Sequence, residues 1–323
     1  MANENPRGYQ GYAAIQKEAS WGTKIIAAMD YFEFESETVD EKDRNVILPV
    51  INCSRYGGSK LIQNGKNVGG SITWPVNADD ATGIFLQQLL GTDTKTGDGT
   101  NGYIHAMEFD GTDPAGFTLQ ISRKIDIASY FGGIIDSLKF TFKANDPLKC
   151  AATMTFKDAV HTDPEQTPSY STQNPLMCHT GTIQIGGSSA NILDADIEIS
   201  GGILSKRTAL GSTTIQAPKS GVATVKGSLT AYVDAMTLQS AFLAGTATSL
   251  SLYCKGAAIG TGFYGLTLAV PQIILHGETL KIPNAPGELM FKIPFEAQLT
   301  GAGSPNKLIL ATLTNLFATA YSA

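Results

Sequence analysis

Apolar and polar side chains alternate along much of this chain. Phe32 and Phe34 alternate with Glu33, Glu35 and Glu37. Leu138, Phe140 and Phe142 alternate with Ser137, Lys139, Thr141 and Lys143. Met154 and Phe156 alternate with Thr153, Thr155 and Lys157, and Ile197 and Ile199 flank Glu198. Leu289, Phe291, Ile293 and Phe295 alternate with Met290, Lys292, Pro294 and Glu296. A period of two puts successive side chains on opposite faces of an extended backbone, so these segments predict strands with one face in a core. Pro294 has no N–H to give a ladder, which predicts an edge or a bulge there.

Helical patterns are few. Residues 79–90 place Ala81, Phe85 and Leu89 on one face, with Asn77 or Asp79 to cap the start and Gly91 to end it. Met236 to Ala244 repeats the pattern, with Asp234 as cap and Gly245 as stop. The two helices belong to a longer internal match at an offset of 157 residues. Gly70–Leu86 aligns without a gap on Gly227–Leu243, with identities at Gly70/Gly227, Ser71/Ser228, Thr73/Thr230, Val76/Val233, Ala78/Ala235, Phe85/Phe242 and Leu86/Leu243. Self-similarity at a fixed offset predicts a duplicated unit. Residues 162–175 (TDPEQTPSYSTQNP), rich in Pro, Ser, Thr and Gln, read as a linker. The division is then a first domain at 1–161, with an N-terminal arm and a long polar loop at 38–66, and a second domain at 176–323 with a C-terminal arm. The fold class is mainly β: two tandem β-sandwich or barrel domains, each with one short flanking helix.

Composition narrows the class. Only 16% of the 323 residues are charged, below the usual quarter or so, which suits short strands, turns and large self-contacting surfaces. The formal net charge is −6, and Lys and Arg are not clustered, which argues against a nucleic-acid reader. Cys53, Cys150, Cys178 and Cys254 are widely spaced, the pattern of reduced thiols. Met1–Asn5 has no basic stretch leading into an apolar one, so no signal peptide is expected, and no apolar run has the length of a membrane span.

No catalytic constellation is legible, and no catalytic, cofactor-binding or metal-ligating residue is assigned. There is no nucleophile elbow, phosphate loop, zinc-protease helix or dinucleotide fingerprint. His105, His161, His179 and His276 are scattered, and Cys178-His179 alone is too little for zinc. Asp93–Gly99 has Lys95 where a calcium loop needs an oxygen, so it reads as a Gly-rich hairpin turn. Glu33 and Glu35 read as a solvated strand face rather than a glycosidase pair, and Trp21 and Trp74 as core or interface anchors.

Four segments in order carry a resemblance. Lys17-Glu18-Ala19-Ser20-Trp21-Gly22-Thr23 resembles the opening of phage tail tube proteins. Gly70-Ser71-Ile72, Leu89-Leu90-Gly91-Thr92 and Gly132-Gly133-Ile134-Ile135-Asp136-Ser137-Leu138 are similar to later motifs of that family. The second half lacks the opening motif and joins through the internal repeat. The resemblance implies a non-enzymatic virion protein, made in the host bacterial cytoplasm, that forms stacked rings of a hollow tail tube. Tandem-domain members imply homotrimeric rings with pseudo-sixfold symmetry. Implied partners are further copies of the chain, the tail tip or baseplate, the tape measure and the tail terminator. DNA passes through the lumen without specific binding, and neither a membrane nor a cofactor is implied. The 38–66 segment, charged at Asp40, Glu41, Lys42, Asp43, Arg44 and Lys60, is expected to reach a neighbour, and the lumen to carry more carboxylates than lysines. An adhesin-like β-sandwich is the other reading; its marks, a signal peptide or aromatic binding loops, are not evident.

Overall fold

A computed structural model describes residues 8–48, 60–232, 245–276, 290–299 and 307–322. It is mainly β, with nineteen antiparallel strands and one α-helix among the described residues. The chain runs through β1 (Tyr12–Lys17), β2 (Asp30–Phe32), β3 (Ser36–Glu37), β4 (Asp40–Leu48) and β5 (Lys60–Pro75) into α1 (Thr82–Leu90). Then come β6 (Thr94–Asp98), β7 (Gly102–Met107), β8 (Phe117–Ser122), β9 (Ile127–Lys143), β10 (Lys149–Phe156) and β11 (Asp158–Val160). Next are β12 (Thr182–Ile185), β13 (Ser188–Ser189), β14 (Ile192–Ser200) and β15 (Thr224–Tyr232). The last four are β16 (Thr248–Ile259), β17 (Gly262–Leu275), β18 (Met290–Ala297) and β19 (Leu310–Asn315).

β9 joins the sheets. Its first part pairs with β8 and β11, and its second part pairs with β10 and β14. Between them the register slips: Thr153 faces Ser137 but Met154 faces Ile135, so Asp136 is the extra residue of a bulge. Its carboxylate accepts from Thr155 Oγ1 at 2.7 Å. A bulge bends its strand, which lets β9 leave one sheet and enter another. A large sheet runs β4–β5–β10–β9–β14–β15–β18–β17. A smaller one runs β2–β1–β8–β9–β11. On the far side of the molecule β17 carries β16 and β12 on one flank and β19, β7 and β6 on the other.

The alternating segments at 137–143, 153–156, 197–199 and 292–296 are strands with the expected buried positions, whereas 33–35, between β2 and β3, is not strand and Phe34 is only half-buried. Leu138, Phe140, Phe142, Met154, Phe156, Ile197, Ile199, Ile293 and Phe295 are all buried. They belong to one connected cluster that extends from Ala13 to Tyr321, rather than to two separated cores. Trp74 stacks on Phe85 at 4.4 Å, and Phe32 meets both rings edge-on. Such pairs add about 0.5–1.5 kcal/mol beyond the burial of their area.

Four sequence readings are corrected. The helix is not flanking: every residue from Thr82 to Leu90 is buried. Residues 315–321 cover it, for Tyr321 packs over Gly83 and Asn315 Nδ2 donates to Ala78 O at 2.8 Å. It also starts later than Asp79, because the Asp80 carboxylate accepts from Thr82 N at 2.9 Å. The helix ends at Gly91 (φ +100°) as read, with its N–H on Gln87 O. The polar segment 38–66 is not a loop, since 40–48 pairs with 60–69 as a hairpin. Pro294 lies in an interior strand without a bulge, opposite Ser228. Its missing donor does no harm because the β17–β18 ladder stops there, and its carbonyl takes His276 N at 2.7 Å. The predicted helix at 236–244 lies outside the described residues.

Residues 162–175 form neither helix nor strand and are tied along the first half. Lys24 holds Asp163 at 2.6 Å, Lys124 holds Glu165 at 2.8 Å, and Asn77 Nδ2 donates to Gln173 O at 2.8 Å.

Candidate assembly surface

The opening motif turns out to be internal scaffolding. Glu18 has no exposed surface. Its Oε1 accepts from Thr118 Oγ1 at 2.8 Å and from Gly132 N at 2.7 Å, and its Oε2 from Gly22 N at 2.6 Å. Gly22 has φ +78°, a conformation that favours glycine, and a Cβ there would run into Lys157. The Lys157 ammonium lies 5.3 Å from the Trp21 ring centre. Glu18, Trp21 and Gly22 thus clasp the first strand to the bend of β9.

The broad face of the large sheet points outward. The registers put Lys139 and Lys143 of β9, Lys149 of β10, Asp194, Asp196 and Glu198 of β14, Lys226 of β15, and Lys292 and Glu296 of β18 on that one face. Ser71, Thr73, Thr141, Thr153, Ser228 and Thr230 share it. Opposite charges sit across strands: Lys226 meets Glu296 at 3.2 Å, and Lys139 meets Asp196 at 3.9 Å. Lys149 also holds Glu35 at 2.7 Å. Each such exposed pair contributes only about 0–1 kcal/mol. Their effect is on the potential, since the face is balanced in charge.

The edges of this sheet differ. β14 is covered on one side by β9 through seven cross-strand positions, from Asp194↔Lys143 to Ser200↔Ser137. β4 pairs with β5, and its other edge has no partner among the described residues. An unpaired strand edge is a template for another strand. β5 also outruns its neighbour: the β10 ladder ends at Val68↔Phe156, leaving β4 as the strand partner of Lys60–Asn67 among the described residues. At about 3.3 Å per residue those eight positions make an arm of roughly 26 Å. The connection between β14 and β15, residues 201–223, leans onto the first half. Thr213 O accepts from Lys66 N at 3.3 Å, and Asp113 Oδ1 from Ser220 N at 2.8 Å.

The remaining candidates from the sequence have structural roles. Trp74 is fully buried. Thr94–Asp98 is one strand of a hairpin whose turn is fixed by Asp98 Oδ1, which accepts from Thr100 N and Asn101 N at 2.8 Å each. Glu33 and Glu35 are both exposed. Cys178 hydrogen-bonds Cys254, a contact that draws its thiol down to about 7. No group of three His, Cys, Asp or Glu among the described residues is placed to hold a metal. Sequence reasoning missed the buried His105. Its Nδ1 is 2.8 Å from Asp93 Oδ2 and its Nε2 is 3.0 Å from Phe317 O. Asp93 Oδ2 also takes Tyr321 N at 2.7 Å. This cluster latches the C-terminal residues onto the first half, and its partners lie too far apart in sequence to leave a motif.

A family model described as phage tail tube protein matches residues 8–299. No curated protein matches the chain.

Proposed function

The chain belongs to the phage tail tube protein family, and on that premise we propose that three copies close into a ring whose stacked repeats make the tail's hollow tube. As a member it is a structural, non-enzymatic part of the virion tail. In the proposed ring each chain supplies two similar β units, so three chains give pseudo-sixfold symmetry and the genome leaves through the bore.

Support for two similar units comes from the order of strand partners. In the first half the order is β4–β5–β10–β9–β8–β1–β2, with β11 on the other flank of β9. In the second half it is β14–β15–β18–β17–β16–β12–β13, with β19 on the other flank of β17. The registers agree as well. Gly70 faces Met154, which faces Ile135; the aligned Gly227 faces Phe295, which faces Leu275. The β6–β7 hairpin is the extra piece, present before β8 and without a counterpart before β16 among the described residues.

One observation carries the ring. β4 stands where β14 stands, yet β14 is covered by β9 and the outer edge of β4 has no partner among the described residues. A heterologous contact repeats from one unit to the next until the rotation closes. The second half of a neighbouring copy covers β4 as the first half covers β14, and ring closure leaves no free edge in the wall. The balanced polar face then lines the bore, with its lysines engaged by carboxylates so that passing phosphates find few free cations. At either end such a tube meets the tail tip or baseplate and the terminator, and it encloses the tape measure before the genome. Electron microscopy of purified protein is the test. Hollow rods or rings with threefold and pseudo-sixfold averages are expected; compact single particles at all concentrations overturn the reading.

A further inference from the structure

Residues 176–181 carry the chain from the first half into the second, with a cysteine at the crossing. Leu176 N donates to Val76 O and Leu148 N to Leu176 O, both at 2.8 Å, and Cys178 N donates to Asp146 O at 3.1 Å. Met177 also bridges Pro147. Up to Cys178 the segment is therefore held by the first half. From Thr180 onward it is held by the second: Thr180 Oγ1 donates to Lys255 O, and Thr182 at the start of β12 faces Tyr253 of β16. Cys254 lies between those two contacts. A Cβ on Gly181 would meet Cys178 O at 3.0 Å and Cys254 Sγ at 3.3 Å. The two thiols share a hydrogen bond. Both are reduced, with Cys178 half-buried and Cys254 buried.

We propose that Cys178 and Cys254 are a disulfide-forming pair, closed by a peroxide, whose bond ties the two halves together at their crossing. The proposal stands apart from the ring reading. Thiolate, not thiol, is the attacking form. Cys178 is the less buried of the two, so an oxidant reaches it first. Its sulfur takes hydrogen bonds from Cys254 and from the Lys143 N–H, and bonds of that kind favour the thiolate. The shared bond and burial leave the proton on Cys254. In the first step the Cys178 thiolate attacks one peroxide oxygen and the O–O bond breaks. The departing hydroxide takes up the proton that Cys178 gave up and becomes water, and Cys178 becomes a sulfenic acid. In the second step the Cys254 sulfur attacks the Cys178 sulfur. The S–S bond forms, the S–O bond breaks, and the hydroxyl leaves with the Cys254 proton as a second water. Two thiols are oxidised and one peroxide is reduced. Cys150 takes no part, because burial pushes its thiol up.

The test uses the full chain carrying Cys53→Ser, which leaves three thiols. Hydrogen peroxide is expected to lower the thiol count of the subsequently denatured protein from three to one. Peptide mapping is expected to find Cys178 and Cys254 in one linked pair that dithiothreitol releases. An unchanged thiol count overturns the proposal, and so does Cys178 oxidised to sulfinic acid with Cys254 still free. Both cysteines are unaltered in this protein, so the result does not depend on a variant of either one folding. Cys254→Ala is expected to abolish the linked pair and to leave Cys178 as a sulfenic acid trapped by dimedone; dimedone on no residue overturns the order of the two steps. The bond closes a long loop in the unfolded chain. The oxidised protein is therefore expected to melt about 5 °C above the dithiothreitol-treated one, and a lower melting temperature overturns the fit of the bond to the native crossing.

Discussion

Glu18 and Asp80 show two ways in which a carboxyl group can be enclosed. Glu18 accepts three hydrogen bonds, so its burial is compensated. Glu18→Ala removes the acceptor of the Thr118 hydroxyl and of the Gly22 and Gly132 N–H groups, while Thr118 Oγ1 still accepts from Ile25 N. A loss of about 3 kcal/mol is expected, read as a shift in the urea midpoint, because hydrogen bonds to charged groups carry about 1.5–3 kcal/mol. Asp80 is less well compensated. Burial, with Asp79 and Glu33 adding repulsion, pushes its carboxyl up to about 7 despite the hydrogen bonds from Thr82. The ordinary value is 3.8. Between these values the folded chain holds a proton that the unfolded chain has released, so stability falls as pH rises through that window. Asp80→Asn keeps the acceptor for Thr82 and removes the charge. It is expected to raise the melting temperature at pH 8 and to match the wild type near pH 4; a constant difference across that range would contradict the assignment. None of this shows in the sequence, where Glu18 is one of 29 acidic residues and its partners lie as far away as Gly132.

At the scale of elements, legibility depended on how many faces each element buries. β9, β10, β14 and β18 bury one face, so their alternation marks them directly in the sequence. The β4–β5 arm projects beyond its neighbour, so Asp40–Leu48 shows no clean period and reads as a polar segment. Helix α1 reads as one-sided, while the side left over by Ala81, Phe85 and Leu89 is covered by residues more than two hundred positions away. That cover is specific. A Cβ on Gly83 would run into the ring of Tyr321, which also donates its backbone N–H to Asp93. Gly83→Ala is therefore expected to cost about 1–3 kcal/mol through overpacking. In a Tyr321→Ala background the same change is expected to be neutral or to stabilise by up to about 1 kcal/mol, the helix preference of alanine over glycine. Chemical denaturation of the four proteins of this cycle measures the coupling, and additivity would show that the ring does not rest on the helix.

The whole molecule is more unified than the linker-like composition of 162–175 implies. The halves share β9–β14 pairing, β7–β19 pairing and one connected core. A single calorimetric transition is expected, with calorimetric and van't Hoff enthalpies in agreement; two separated transitions would mean that the halves fold independently. The proposed duplication rests in the sequence on seven identities at one offset. The union of the halves is not legible there, because the pairing of His105 with Leu313 spans more than two hundred residues and a ladder leaves no local signature.

The hairpin of β6 and β7 gives that union a direction in time. It is made some two hundred residues before its partner β19 emerges from the ribosome. Until then the nascent chain carries an unfilled slot, and only a polypeptide translated through Asn315 can fill it from within. Prematurely terminated products, which lack the closing strand, are thereby left structurally unfinished before they can compete with intact subunits for a place in the growing filament.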